Sequence, residues 1–242
     1  MKLFVSAILF LICNVTFPGE SSDTLSSKLK AGCTVSLNSN GIASIPAFSL
    51  DKPAVMASIN LSKGRFSYDP TLAYGLDLKP WFIDNWLHYK VIVKSGFELR
   101  AGFNISSFFS SYKLPDETIL QGQRYFAFAL AATYFVASNT TLTIDYWNDR
   151  GQDKGTIKGH FVSLTGERSE IRLGEKAFFS ANAMLFYIDY DGKNDGLFIS
   201  PKVSFNIREV PFSLFSQASQ AIISNIEPFP GFRWNIGLSY IF

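Results

Sequence analysis

The chain has 242 residues, of which 47% are hydrophobic, 16% aromatic and only 17% charged, against roughly 25% charged in ordinary soluble domains. The formal net charge of +2, with no basic cluster, gives no case for nucleic acid as a partner. Two distant His and the absence of Cys-x-x-Cys give no metal spacing and imply no cofactor.

Residues 1–17 read MKLFVSAILFLICNVTF, a short basic start followed by an apolar run. This is the pattern of a secretory signal peptide and is too short to span a bilayer as a helix. The leader is read over 1–19, with cleavage between 16 and 22. Ile12 is too large a residue before Cys13 for a lipoprotein signal. Cys33 is then the single thiol expected in the mature chain, with no internal disulfide. No later window holds 18 uninterrupted apolar residues, which excludes a helical membrane protein.

Residues 20–32 form a polar, Ser-rich lead-in, and a barrel is expected over 33–242. Residues 33–37 alternate weakly. Residues 41–53, interrupted by Pro46 and Pro53, are either a poor strand with a loop or a segment tucked inside. From Ala54 the alternation sharpens. Val55, Ala57, Ile59 and Leu61 oppose Ser58, Asn60 and Ser62, and Phe66, Tyr68 and Leu72 oppose Arg65, Ser67, Asp69 and Thr71. Residues 77–83 (DLKPWFI) read as an aromatic interface loop. Next, Leu87, Tyr89, Val91 and Val93 oppose Trp86, His88, Lys90 and Lys94, and Phe97, Leu99, Ala101, Phe103 and Ile105 oppose Glu98, Arg100 and Asn104. Further strands place Phe126, Phe128, Leu130 and Tyr134, then Leu142, Ile144 and Tyr146, outward, with Asp145 and Trp147 inward. Residues 155–190 have mixed faces, with turns readable at both 166–168 and 174–176. Clarity returns where Leu197, Ile199, Val203 and Phe205 oppose Ser200, Lys202 and Ser204, and where Phe212 and Leu214 oppose Ser213, Gln217 and Ser219.

The last eleven residues, FRWNIGLSYIF, carry the strongest signal. Phe232, Trp234, Ile236, Leu238, Tyr240 and Phe242 share one face, and Arg233, Asn235, Gly237 and Ser239 the other. Strict period 2 means a strand. Aromatics at both ends with aliphatics between are the profile of a strand crossing a bilayer between two aromatic girdles. On this facing Ile236→Lys is expected to cost about 2–4 kcal/mol and Asn235→Lys little.

Turn lengths agree with strand parity. Lys63-Gly64 pairs Leu61 with Phe66. Lys94-Ser95-Gly96 pairs Val93 with Phe97, and so Lys90 with Arg100. Ala137-Ser138-Asn139 pairs Val136 with Thr140, and Arg208-Glu209 pairs Ile207 with Val210. Short turns alternate with longer loops, which in bacterial barrels face the periplasm and the outside respectively. Only a closed sheet leaves no unpaired edge in lipid. The expected fold is therefore all-β: a closed antiparallel transmembrane barrel of about twelve strands, with ten to fourteen compatible.

Arg65, Asp69, His88, Lys90, Glu98, Arg100 and Asn104 fall on successive strands and face the lumen, joined on closure by Asp145, Lys202, Arg233 and Asn235. Such a ring either lines a pore or forms a self-satisfied network filling a barrel without passage. Two alternatives are an outer-membrane lipid hydrolase and a barrel binding through its external loops. For the hydrolase, His160 and Ser163 lie at i and i+3 on a strand and so point to opposite faces.

The terminal Phe after an amphipathic strand resembles the C-terminal signature of bacterial outer-membrane β-barrels. Residues 41–54, RFSYDP at 65–70 and KPW at 79–81 are similar to small barrels of Bacteroidetes-type bacteria with no assigned function. The resemblance implies an outer-membrane location, outer-membrane lipid as a partner, and recognition of Tyr240 and Phe242 by the barrel-insertion machinery. It brings no catalytic residue. The leading expectation is a passive small-solute channel or a structural barrel.

Overall fold

The computed structural model describes residues 28–42, 49–113, 118–154, 156, 158–190, 192–227, 229 and 231–242. The leader read at 1–19 and residues 43–48 of the 41–53 segment lie outside them.

Twelve strands follow one another: β1 (Lys30–Asn38), β2 (Ala54–Lys63), β3 (Phe66–Gly75), β4 (Pro80–Lys94), β5 (Phe97–Lys113), β6 (Thr118–Ala137), β7 (Thr140–Gly151), β8 (Lys158–Arg172), β9 (Ala177–Tyr190), β10 (Asn194–Ile207), β11 (Phe212–Ser224) and β12 (Arg233–Ile241). Each pairs with its chain neighbours, and β1 pairs antiparallel with β12, which closes the barrel. β1 starts at Lys30, inside the stretch read as lead-in. The ambiguous 155–190 stretch is β8 and β9. Gly174, with φ of 140°, marks the turn between them, while residues 166–168 lie within β8.

The expected alternation holds. Phe128, Leu142, Ile144, Trp234, Ile236 and Leu238 are exposed on the outer wall, as a lipid-facing belt requires. Their strand neighbours Ala127, Asp145, Asn235 and Ser239 are buried inside.

The hairpin turns differ from expectation in two ways. In β2–β3 and β10–β11 the register is shifted by two: Leu61 pairs with Tyr68, and Phe205 with Leu214. A shift of two keeps every side chain on its face, so facing alone did not distinguish the registers. Gly64 takes φ of 59°, as the first central residue of a type II′ turn requires. In β4–β5 and β6–β7 the expected register holds along the strands, with Lys90 opposite Arg100 and Leu130 opposite Tyr146. Near the turns a bulge at Val91 and another at Val136 add one residue, so Lys94 pairs with Phe97 and Ala137 with Thr140. Past its bulge Val93 faces inward opposite Glu98, not outward as read.

The 77–83 segment is not an interface loop. β4 begins at Pro80, and a bulge at Trp81 sends both Trp81 and Phe82 into the interior, 0% and 2% exposed. The described flanks of 41–53 also turn inward. Ile42 is buried, Leu50 packs against the core, and Gly41 and Lys52 pair through the backbone at 2.9 Å. Asp51 and Lys52 tie this connection to its neighbours, by Arg233 Nε to Asp51 at 2.8 Å and Lys52 Nζ to Asp77 at 2.5 Å.

Candidate functional site

The connections β2–β3, β4–β5, β6–β7, β8–β9 and β10–β11 and the C-terminus share one end of the barrel, the turn end. The other connections, including the long 39–53 and 225–232, share the loop end. The interior changes character between them.

In the loop half it is an aromatic layer. Trp86 of β4 meets Trp147 of β7 edge to face at 5.8 Å, and Trp147 meets Phe161 of β8 at 4.2 Å. The series continues through Phe186 of β9 to Phe198 of β10, at 5.4 and 5.0 Å. These rings form one buried cluster with Met56, Ala73, Phe82, Phe108, Tyr125, Tyr190 and Ala221, joined from the loops by Ile226 and Leu50. Small residues make the cross-lumen contact geometrically feasible. Asn104 and Ala127 stand in register with Trp86, and Ala129 and Gly102 with Trp147. Each ring buried this way contributes about 1.5–3 kcal/mol by area.

Below the layer lies a polar vestibule. Asp69 Oδ2 accepts from His88 Nδ1 at 2.7 Å and from Ser67 Oγ at 3.0 Å, while Asn60 Nδ2 donates to its other oxygen. The imidazole stacks on Trp86 at 5.3 Å, tying the vestibule to the layer. Gly102 leaves the ring its space: a Cβ there would lie 2.7 Å from His88 Cδ2. Lys90 Nζ pairs with Glu98 Oε2 at 2.6 Å, the diagonal partner expected from the register. Arg100 and Asp145 stand in one row either side of Ala131, near enough to interact electrostatically. Lys202 Nζ lies 4.4 Å above the Phe215 ring. This half is more exposed than the aromatic layer, with the Lys90 side chain 39% and Asp69 25% exposed.

Of the expected lumen residues, the structure gathers Asp69, His88, Lys90, Glu98, Arg100, Asp145 and Lys202 in the vestibule. Asn104 is fully buried beside Trp86, in the layer itself. Three others serve the frame. Arg65 Nη1 donates to the Lys90 and Val91 carbonyls at 2.8 and 2.9 Å, bracing the bulge. Arg233 stands at the loop rim on Asp51. Asn235, 1% exposed, fastens the closing seam: it donates to Asn38 Oδ1 at 2.8 Å and accepts from Ser39 Oγ and the Asn40 N–H. With these partners to lose, Asn235→Lys is expected to be costly, where the strand pattern alone leads to an expectation of little cost. Tyr240 packs on Phe212 and Phe242 at 4.9 and 4.5 Å, and the Phe242 N–H donates to the Cys33 carbonyl. His160 is exposed outside and Ser163 buried inside, so the two form no dyad.

Sequence reasoning placed Trp86 and Trp147 inward but gave them no role, and it passed over Phe161, Phe186 and Phe198. No family model matches the chain, and no curated protein matches it. Solved structures do. The KdgM porin superposes with a TM-score of 0.59 at 10% identity, over 86% of this chain and 98% of that one. The NanC porin gives 0.51 at 10% identity, over 87% and 99%. An outer-membrane channel from Pseudomonas putida F1 gives 0.52 at 10% identity, over 93% and 98%. The fold is that of a bacterial outer-membrane β-barrel. At this identity the likeness concerns the fold alone, and the interior of this outer-membrane barrel is described by its own residues.

Proposed function

We propose that the protein is a small-solute channel of the outer membrane, closed in this conformation by the aromatic layer. The observation that carries this reading is the charged vestibule open at the turn end and ending against that layer. Apolar constrictions gate pores by excluding water, and the Trp86–Trp147–Phe161 contact is such a constriction.

The vestibule sets Lys90, Arg100 and Lys202 against Asp69, Glu98 and Asp145, with the signs interleaved. Interleaving favours small polar solutes over strong selection by charge. The likeness to porins supports the channel reading, and one such porin structure holds oligogalacturonate. An anionic sugar chain of that kind fits a mixed-sign lining less well than a small neutral sugar does.

Osmotic swelling of vesicles carrying the protein tests this. With arabinose as solute, Trp147→Ala/Phe161→Ala is expected to swell several-fold faster than the wild type. A folded, inserted double variant that swells no faster contradicts the reading.

A further inference from the structure

A second polar group lies on the outer wall, at the loop end of β7 and β8. Arg150 and Lys158 are directly opposite in the register, both exposed and both facing away from the lumen. Asn148 and His160 are the next opposed pair on that outer face. These side chains are joined to one another. Arg150 Nε donates to Asn148 Oδ1 at 2.6 Å, and Asn148 Nδ2 donates to the Gly159 carbonyl at 3.1 Å and lies 3.3 Å from His160 Nδ1. Tyr146 Oη lies 2.9 Å from the same nitrogen. The Arg150 guanidinium is thus held through its Nε.

Two acids share this wall: Asp189 stands opposite His160 and Asp195 opposite Asp189. Asp189 accepts from the Gly192 N–H and Asp195 from Tyr187 Oη, while Asp153 takes Arg124 at 2.8 Å. Among the described residues no carboxylate pairs with Arg150 or Lys158. Like charges directly opposed across a strand pair destabilise it, and an anion bound by both side chains would relieve that repulsion. On the same wall Phe126 stands beside Arg150 and Phe128 beside Asn148, and below them come exposed Tyr146, Val162 and Tyr187, then Ile144 and Leu164. The two cations therefore sit at the upper edge of an aromatic girdle, at the depth of lipid headgroups.

We infer that Arg150 and Lys158 form a binding site for the phosphate of a membrane lipid. The guanidinium fork takes two phosphate oxygens and the ammonium a third, while the acyl chains lie along the apolar wall beneath. The inference rests on the membrane placement and is independent of whether the lumen conducts.

The test uses the protein in phosphatidylcholine vesicles doped with spin-labelled phosphatidic acid, and with spin-labelled phosphatidylcholine as reference. Heat-modifiable electrophoretic mobility first establishes that the barrel is folded and inserted, and failure at that step bears on the membrane placement alone. The protein is expected to immobilise phosphatidic acid preferentially. Arg150→Gln/Lys158→Gln is expected to lower that preference at least about threefold, with Arg150→Lys retaining most of it. Lys63→Gln/Lys94→Gln, which removes equal charge at the turn end, is expected to leave it unchanged. Absence of preference in the wild type, or equal loss in both double variants, overturns the inference. So does complete displacement by an equal concentration of glycerol phosphate, which would make the ligand a free phosphate.

Discussion

The indole rings of Trp86 and Trp147 meet across the interior with centroids 5.8 Å apart, although their strands are separated by β5 and β6. The intervening positions are Gly102, Asn104, Ala127 and Ala129, and they leave the rings the space to touch. Truncating either ring removes a buried surface without a neighbour able to fill it. Trp86→Ala is expected to destabilise the barrel by about 3–5 kcal/mol. Urea unfolding in vesicles checks this, and a cost under 1 kcal/mol would mean that the layer is loosely packed.

Gly237 lies under the Phe215 ring. An added Cβ would stand 2.2 Å from Phe215 Cζ and 2.6 Å from the Leu37 carbonyl oxygen. Gly237→Ala is expected to cost about 1–3 kcal/mol through overpacking. Adding Phe215→Leu is expected to recover only part of this, because the Leu37 oxygen is backbone of the neighbouring strand. The same unfolding measurement applies, and full recovery would place the whole clash in the ring.

Facing toward lipid or lumen is tested by one introduced charge at two sites. Ile236→Lys is expected to cost about 2–4 kcal/mol on the lipid side. Asn60 faces the solvent-accessible vestibule beside Asp69, and Asn60→Lys is expected to change stability by no more than about 0.5 kcal/mol. At the seam, Asn235→Ala strips Asn38, Ser39 and Asn40 of their shared partner, and about 1–3 kcal/mol of loss is expected. Equal costs at Ile236 and Asn60 would refute the facing.

Lys90 and Glu98 form a partly exposed ion pair 2.6 Å apart in the vestibule. A double-mutant cycle to Ala is expected to give a coupling of only about 0.2–1 kcal/mol. Lys90→Glu puts two acids side by side, and in a layer-truncated, conducting background it is expected to shift the reversal potential toward cation preference. An unmoved reversal potential would place Lys90 off the conduction path.

The belt, the closure and the strand count were legible because most strands set apolar against polar residues in strict alternation. The β12 sequence from Trp234 to Tyr240 is the clearest instance. The 155–190 stretch was opaque for a physical reason. Its loop-end portions are apolar on both faces, with Phe161, Phe186 and Ile188 inside and Val162, Leu164, Leu185 and Tyr187 outside. Period 2 has no amplitude when both faces are greasy, and that is where the aromatic layer sits. Bulges were hidden too. Val91 and Trp81 each add one residue to a strand without a Gly or Pro at the bulged position to mark it. The seam role of Asn235 depends on Asn38, 197 positions away, and no local pattern carries such a pairing.

The closed aromatic layer is tested most directly by single-channel recording in planar bilayers, on folded wild type and on Trp147→Ala/Phe161→Ala. The wild type is expected to be silent or to show brief, small openings, and the double variant to conduct steadily. Large, steady conductance from the wild type would contradict closure by the layer. A folded double variant that stays silent would contradict the layer as the element that holds the passage shut.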